Sequence, residues 1–170
     1  LGNNISGIEN KILNIPVGID LEKFTKRDSF KVKKVMDLSF ENKIIIGTVA
    51  RLSKEKNISY ILDIARHIPE YEFVIIGDGQ ERNKLREKMK EFSIRNVHLV
   101  GFKNDVNLYY NIMDAFLLTS TIEGFLISIV EAMASEVPVF TTFVGKISDY
   151  VKDNITGFEI TYYLLRETAN

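Results

Sequence analysis

From residue 43 to residue 160 the chain repeats one phrase: a short apolar run, a turn, then a stretch with apolar residues at helical spacing. That alternation constrains the fold more than any other feature. Strands separated by helices pair in parallel, and each helix then crosses one face of the sheet. Residues 43–50 (Lys-Ile-Ile-Ile-Gly-Thr-Val-Ala) read as a strand buried on both faces, rich in β-branched side chains. Residues 57–68 place Ile58, Ile61, Leu62, Ala65 and Ile68 on one helical face, with Asn57 as the expected cap. Residues 72–76 form the next expected strand, stopped by Gly77-Asp78-Gly79, and residues 80–92 a charged helix with Leu85, Met89 and Phe92 inward. A strand over 97–100, a short helix over 105–113 and a strand over 114–120 follow. Then come a helix carrying Glu131, a strand from Pro138 and a last short strand over 158–160. Right-handed crossovers turn this order into an α/β fold with a Rossmann-like, doubly wound parallel sheet.

The flanks depart from that rhythm. Residues 1–42 read as a leading strand with a turn at Pro16 and Gly18, then a charged connecting segment containing Lys31, Lys33 and Lys34. A solvated helix or loop is the plain reading of that charge run. Residues 43–160 form the expected domain and 161–170 a tail, where Tyr162, Tyr163, Leu164 and Leu165 begin a pattern left unfinished. At 170 residues the chain is long enough to bury one core. Its formal net charge of −1 gives no reason to expect a nucleic-acid partner held by bulk charge. Without cysteine there are no disulfides, thiol nucleophiles or zinc ribbons. The apolar runs are too short to span a bilayer and no signal peptide is visible. The expectation is therefore a cytoplasmic protein, or a piece of a larger one.

Chemistry concentrates where ligands bind in open parallel sheets, at the carboxyl ends of strands. Glu123-Gly124-Phe125-Leu126-Ile127-Ser128-Ile129-Val130-Glu131 follows the 114–120 strand and opens a helix. The first amides of a helix lack internal partners and carry the positive end of its dipole, which suits phosphate. Glu123 sits at that helix mouth, and Glu131, eight residues on, is expected about 12 Å further along the axis. Two acids at that spacing, with anion-binding amides between them, suit the two ends of a sugar–diphosphate–ribose ligand. Arg51 and Lys56 lie in the loop after the first strand. Arginine offers bidentate phosphate contact and lysine a mobile charge. Gly77 permits a left-handed turn and a close ligand approach. Taken alone, the cations read more simply as surface residues and the glycines as a plain turn. His67 and His98 fall apart, at a helix end and in a strand, and read as a dipole partner and a strand residue.

In their order along the chain these motifs resemble the C-terminal half of the retaining GT-B glycosyltransferases of family 4 (glycosyl transferases group 1). Glu123-Gly124-Phe125 and Glu131-Ala132-Met133-Ala134 match that family's paired-glutamate motif. Arg51 and Lys56 match its cationic pair. Ile15-Pro16-Val17-Gly18-Ile19-Asp20 with Phe24, Ile76-Gly77-Asp78-Gly79, Val100-Gly101-Phe102 and Thr156-Gly157-Phe158 match its flanking and strand-end elements. The resemblance spans about residues 12–160. It implies that the chain is one half of a GT-B enzyme moving a hexosyl-type sugar from a nucleoside diphosphate sugar to an acceptor hydroxyl with retention. It further implies that Glu131 holds ribose hydroxyls and Glu123 the donor sugar. Amides around Gly124, Phe125, Leu126 and Ile127 would meet phosphate or sugar oxygens, with Gly77 at the same site. Arg51 and Lys56 would neutralise the departing diphosphate, with no metal and no other cofactor.

The implied partners are a nucleotide sugar, an N-terminal acceptor-binding domain absent from the chain, and an acceptor glycan or lipid-linked sugar. The implied setting is bacterial capsule, lipopolysaccharide or exopolysaccharide synthesis. The full protein would then be cytoplasmic, or peripheral at the inner face of the membrane, and the isolated half inactive. The chain departs from the family pattern at Leu126, Glu136, Lys146 and Asp149, all in loops around the expected donor. Two alternatives remain on the sequence: a nucleotide-sugar-binding module without transfer activity, and a GT-B-like nucleotide-sugar epimerase.

Overall fold

The computed structural model describes residues 18–26, 40, 43–124 and 126–161. The leading strand expected before Pro16, the lysine run at 31–34, Phe125 and the tail from Tyr162 lie outside the described residues. Six parallel strands form one sheet in the order β3-β2-β1-β4-β5-β6. They are β1 (Ile45–Val49), β2 (Glu72–Ile76), β3 (Val97–Gly101), β4 (Ala115–Leu118), β5 (Val139–Thr141) and β6 (Phe158–Glu159). The helices are α1 (Ile58–His67), α2 (Arg82–Glu91), α3 (Val106–Tyr110), α4 (Ile127–Ala134) and α5 (Ile147–Tyr150). The doubly wound parallel sheet expected from the strand–helix rhythm is the fold observed.

Strand alternation explains why helices cover both faces. Val74 and Ile76 join Tyr110, Phe116, Leu118, Ile129 and Ile147 in one apolar cluster. Phe73 and Ile75 join Ile58, Ile61, Leu62, Leu85 and Leu117 in the other. Successive residues of β2 and β4 therefore point to opposite cores. Each fully buried side chain of this size contributes about 1.5–3 kcal/mol by leaving water.

The sheet reverses its winding between β1 and β4, and there the ladder is short. β1 and β2 run in register from Ile45–Glu72 to Val49–Ile76, whereas β1 and β4 are registered at Ile46–Ala115 and Gly47–Phe116. Past that point the Thr48 hydroxyl donates to the Leu117 carbonyl. The bridge holds the strands together on either side of the switch point, and in open α/β sheets ligands are taken at the carboxyl ends beside such a point.

One local expectation differs. Asn57 does not cap α1 with its side chain; its backbone is left-handed (φ 46°) and closes a 3-10 turn over Lys54–Lys56. The Thr119 hydroxyl reaches the carbonyls of Asn57 at 3.0 Å and Lys56 at 3.3 Å. Tertiary bonding therefore sets this helix start. Glu136, where the resemblance leads one to expect glycine, adopts φ 56° at the turn after α4. A left-handed conformation in a residue with a Cβ costs about 1 kcal/mol, which is why glycine is usual there.

Candidate functional site

The loops leaving β1 and β4 are bound to each other before any side chain meets a ligand. The Thr121 amide donates to the Glu55 carbonyl at 2.8 Å, and the Thr142 hydroxyl to the Ser120 carbonyl at 2.6 Å. On that frame Lys56 Nζ stands 2.6 Å from Glu123 Oε1, and the Ser120 hydroxyl donates to the same oxygen at 2.5 Å. The Glu123 side chain is only 2% exposed, against 22% for Lys56. Behind it, Gly145 has φ 62°, and a Cβ there would lie 2.7 Å from the Glu123 carbonyl oxygen. Glu123 is therefore enclosed, and its carboxylate serves as the seat of Lys56. Arg51 lies exposed in the same loop.

Gly77 has a packing reason of its own. Its φ is 135°, and a Cβ would sit 1.9 Å from the Ala50 carbonyl oxygen. A Cβ at Gly79 would meet the Leu52 carbonyl at 2.4 Å. These glycines let the end of β2 press against the loop that carries Arg51 and Lys56, so the glycine turn shapes the site through the backbone.

α4 begins at Ile127, with Leu126 at its N-cap position and no side-chain cap. The eight-residue spacing is therefore not a helical rise throughout. Four helical steps, about 6 Å, separate Ile127 from Glu131, and Glu123 belongs to the turn before the helix. Leu126 is buried in the core, so its contribution to a ligand site is its backbone. A Cβ at Gly124 would meet open space. As α4 follows β4 directly, its amide end lies on the carboxyl side of the sheet together with Lys56 and Glu123.

Glu131 is partly buried. Burial pushes its carboxyl above the ordinary range, while a hydrogen bond from Tyr110 and the charge of Lys23 draw it down. Tyr110 Oη donates to Glu131 Oε2 at 2.9 Å. The phenol itself is pushed well above its usual range, first by burial and then by the Glu131 charge. Lys23 comes from a turn whose Asp20 Oδ1 accepts the amides of Glu22 at 3.0 Å and Lys23 at 3.1 Å. The same turn delivers Phe24 to the core, its ring edge-on to Tyr110 with centroids 5.9 Å apart. The leading motif therefore serves both packing and the field at Glu131.

Sequence reasoning did not assign Ser120, Tyr110 or Lys23 to the site. Asp20 with two amides downstream is a readable turn signal, but the meeting of Lys23 and Tyr110 with Glu131 is a tertiary event. His67 Nδ1 donates to the Asp63 carbonyl at 2.8 Å within α1. His98 Nε2 lies 2.8 Å from Glu72 Oε2 across β3 and β2. Among the described residues there is no group of three or more His, Asp or Glu side chains able to hold a metal ion, and no helix long and apolar enough to cross a membrane. An apolar groove of about 450 Å³, lined by residues including Ile46, Tyr60, Ile64, Leu117 and Phe140, lies on the α1 face. It shares no residue with the Lys56, Glu123 and Glu131 cluster.

Residues 30–164 match the family model described as Glycosyl transferases group 1. The chain is 31% identical over 161 residues to the UDP-Gal:alpha-D-GlcNAc-diphosphoundecaprenol alpha-1,3-galactosyltransferase of Escherichia coli, covering 88% of this chain and 41% of that protein. It is also 31% identical over 160 residues to the capsular polysaccharide biosynthesis glycosyltransferase CapM of Staphylococcus aureus, covering 88% and 42%. It thus spans about two fifths of the length of these curated relatives. Among solved structures, Anabaena HepE in complex with UDP-glucose superposes with TM-score 0.80 at 25% identity, over 89% of this chain and 44% of that one. The C-terminal domain of the group 1 protein LpcC of Francisella tularensis shares the fold, with TM-score 0.75 at 23% identity, over 89% and 84%. The Rossmann-like half of a GT-B glycosyltransferase, expected from the sequence, is the fold found.

Proposed function

The chain belongs to the glycosyl transferases group 1 family, and from that premise we propose that it is the donor-binding part of a retaining, hexosyl-type glycosyltransferase. One observation carries this reading. The switch point brings Lys56 on its Glu123 seat, Arg51 and the uncapped amide end of α4 to one side of the sheet, with Glu131 one turn into the helix. A nucleoside diphosphate sugar suits that arrangement. Its ribose diol pairs with the Glu131 carboxylate, and its phosphates lie against the α4 amides and the two cations. Gly124, Phe125, Leu126 and Ile127 offer backbone amides, and Gly77 keeps the cationic loop pressed against β2.

As the glycosidic bond to the diphosphate breaks, negative charge grows on the leaving phosphate. Fixed positive groups there stabilise the transition state more than the ground state. In this scheme Arg51, Lys56 and the helix amides meet that charge without a metal, and Glu123 holds Lys56 in place. A sugar that displaces Lys56 from Glu123 Oε1 would take up the freed carboxylate, which is how Glu123 reaches the donor. The name of the Staphylococcus aureus relative supports transfer in bacterial surface polysaccharide synthesis. A diphosphoundecaprenol-linked acceptor, as in the name of the Escherichia coli relative, would place the whole enzyme in the cytoplasm at the inner face of the membrane. An N-terminal domain would hold that acceptor glycan or lipid-linked sugar, so this part alone binds donor without transferring it.

Calorimetric titration with UDP tests the reading. Glu131→Ala is expected to weaken binding by about 1–3 kcal/mol, the range for losing hydrogen bonds to a charged group. Unchanged affinity would remove Glu131 from the nucleotide site.

A further inference from the structure

Three oxygens meet where α3 touches α4. Tyr110 Oη lies 2.9 Å from Glu131 Oε2 and 3.2 Å from the Ser128 carbonyl oxygen. A phenol has one proton to give. With Glu131 ionised, that proton is shared between the carboxylate and the carbonyl, and Oε1 is left for a ligand. With Glu131 protonated, the carboxyl donates to Tyr110, Tyr110 donates to Ser128, and a ligand diol meets a weaker acceptor. The ring has little freedom to move away, being 0% exposed and packed against Phe24 and Phe116, with centroids 5.9 Å from each.

We propose that Tyr110 is the positioning residue of the nucleotide subsite: its hydroxyl fixes Oε2 of Glu131, so that Oε1 is presented as a carboxylate to the ribose diol. The inference rests on the ribose role proposed for Glu131. Two groups act on that carboxylate from neighbouring elements, Tyr110 from α3 and Lys23 from the turn after Asp20. Burial raises the Glu131 carboxyl and the Tyr110 bond lowers it. Removing the hydroxyl therefore moves protonation to higher pH. Nucleotide affinity, which needs the ionised form, should then begin to fail at higher pH in the variant than in the parent.

Tyr110→Phe keeps the ring and deletes the hydroxyl, and two readouts separate positioning from packing. Carbon-13 titration of the Glu131 carboxyl should show its midpoint moved upward in the variant. In the parent, the Tyr110 ring carbon bearing the hydroxyl should titrate with the same midpoint as Glu131. Calorimetry with UDP over a pH series should show affinity reduced several-fold in the variant, with its further loss on acidification beginning at higher pH than in the parent. An unmoved Glu131 midpoint, or a Tyr110 signal blind to Glu131 in the parent, would overturn the proposal. So would unchanged UDP affinity in Tyr110→Phe while Glu131→Ala binds weakly, and the ribose role would then stand. If Glu131→Ala itself left UDP binding untouched, the ribose role would fall and take the ligand part of this inference with it. That case is recognisable because the carboxyl midpoint would still move.

Discussion

Replacing Gly77 by Ala is expected to cost about 3–5 kcal/mol, at the upper end for single substitutions. Two causes act at one atom. Gly77 has φ 135°, a region essentially restricted to glycine, and the new Cβ would fall 1.9 Å from the Ala50 carbonyl oxygen. That oxygen belongs to backbone, so no rotamer change relieves the clash. The Ala50 amide also donates to the Ile76 carbonyl at 3.0 Å and the Gly77 amide to the Gly101 carbonyl at 2.9 Å, so moving either segment breaks strand-end bonds. Thermal unfolding followed by circular dichroism should show a midpoint lower by roughly 10 °C or more for a chain of this size. A drop below about 2 °C would mean that the contact relaxes cheaply. Packing would then not explain the glycine, and its proposed place in the donor site would gain weight.

Lys56→Ala should act on both stability and chemistry. It leaves a carboxylate that is 2% exposed without its cation. Removing one partner of a fully buried pair costs about 3–5 kcal/mol. Lys56 is partly exposed and the Ser120 hydroxyl remains on Oε1, so about 2–3 kcal/mol is expected here. Adding Glu123→Gln should restore most of that stability, since the stranded charge is then gone. It should not restore transfer. In the full-length enzyme, loss of Lys56 is expected to lower turnover by about 100-fold or more, the scale for removing one transition-state donor, with a smaller loss of donor affinity. Steady-state kinetics alongside donor titration separates the two effects. If turnover held, the leaving-group role of Lys56 would be wrong, and its ion pair with Glu123 would be purely structural.

The fold was legible because β-branched runs and helical spacing repeat over a long stretch, and each strand's side chains divide between two cores. The Val74 and Ile75 neighbours, one in each cluster, show that pattern directly. Glu123, Lys56 and Arg51 were legible as residues near strand ends, but their arrangement was not. That Lys56 covers Glu123, and that Glu123 stands outside the helix, depends on how two loops 67 residues apart in sequence are bonded. Asn57 shows the same limit, since its backbone is set by Thr119 just past β4 rather than by its own capping propensity. Tyr110 carried no signal of its own within the short helix expected over 105–113. Its hydroxyl matters because Glu131, 21 residues on, comes to lie beside it.

The most direct test of the account is to map backbone amide shifts of the isotopically labelled chain while adding UDP. The account predicts saturable changes concentrated at Leu126 to Glu131 and in the Arg51 to Lys56 loop, with the apolar groove around Tyr60 and Ile64 unaffected. Changes confined to that groove, or none at saturating UDP, would contradict a donor site at the switch point.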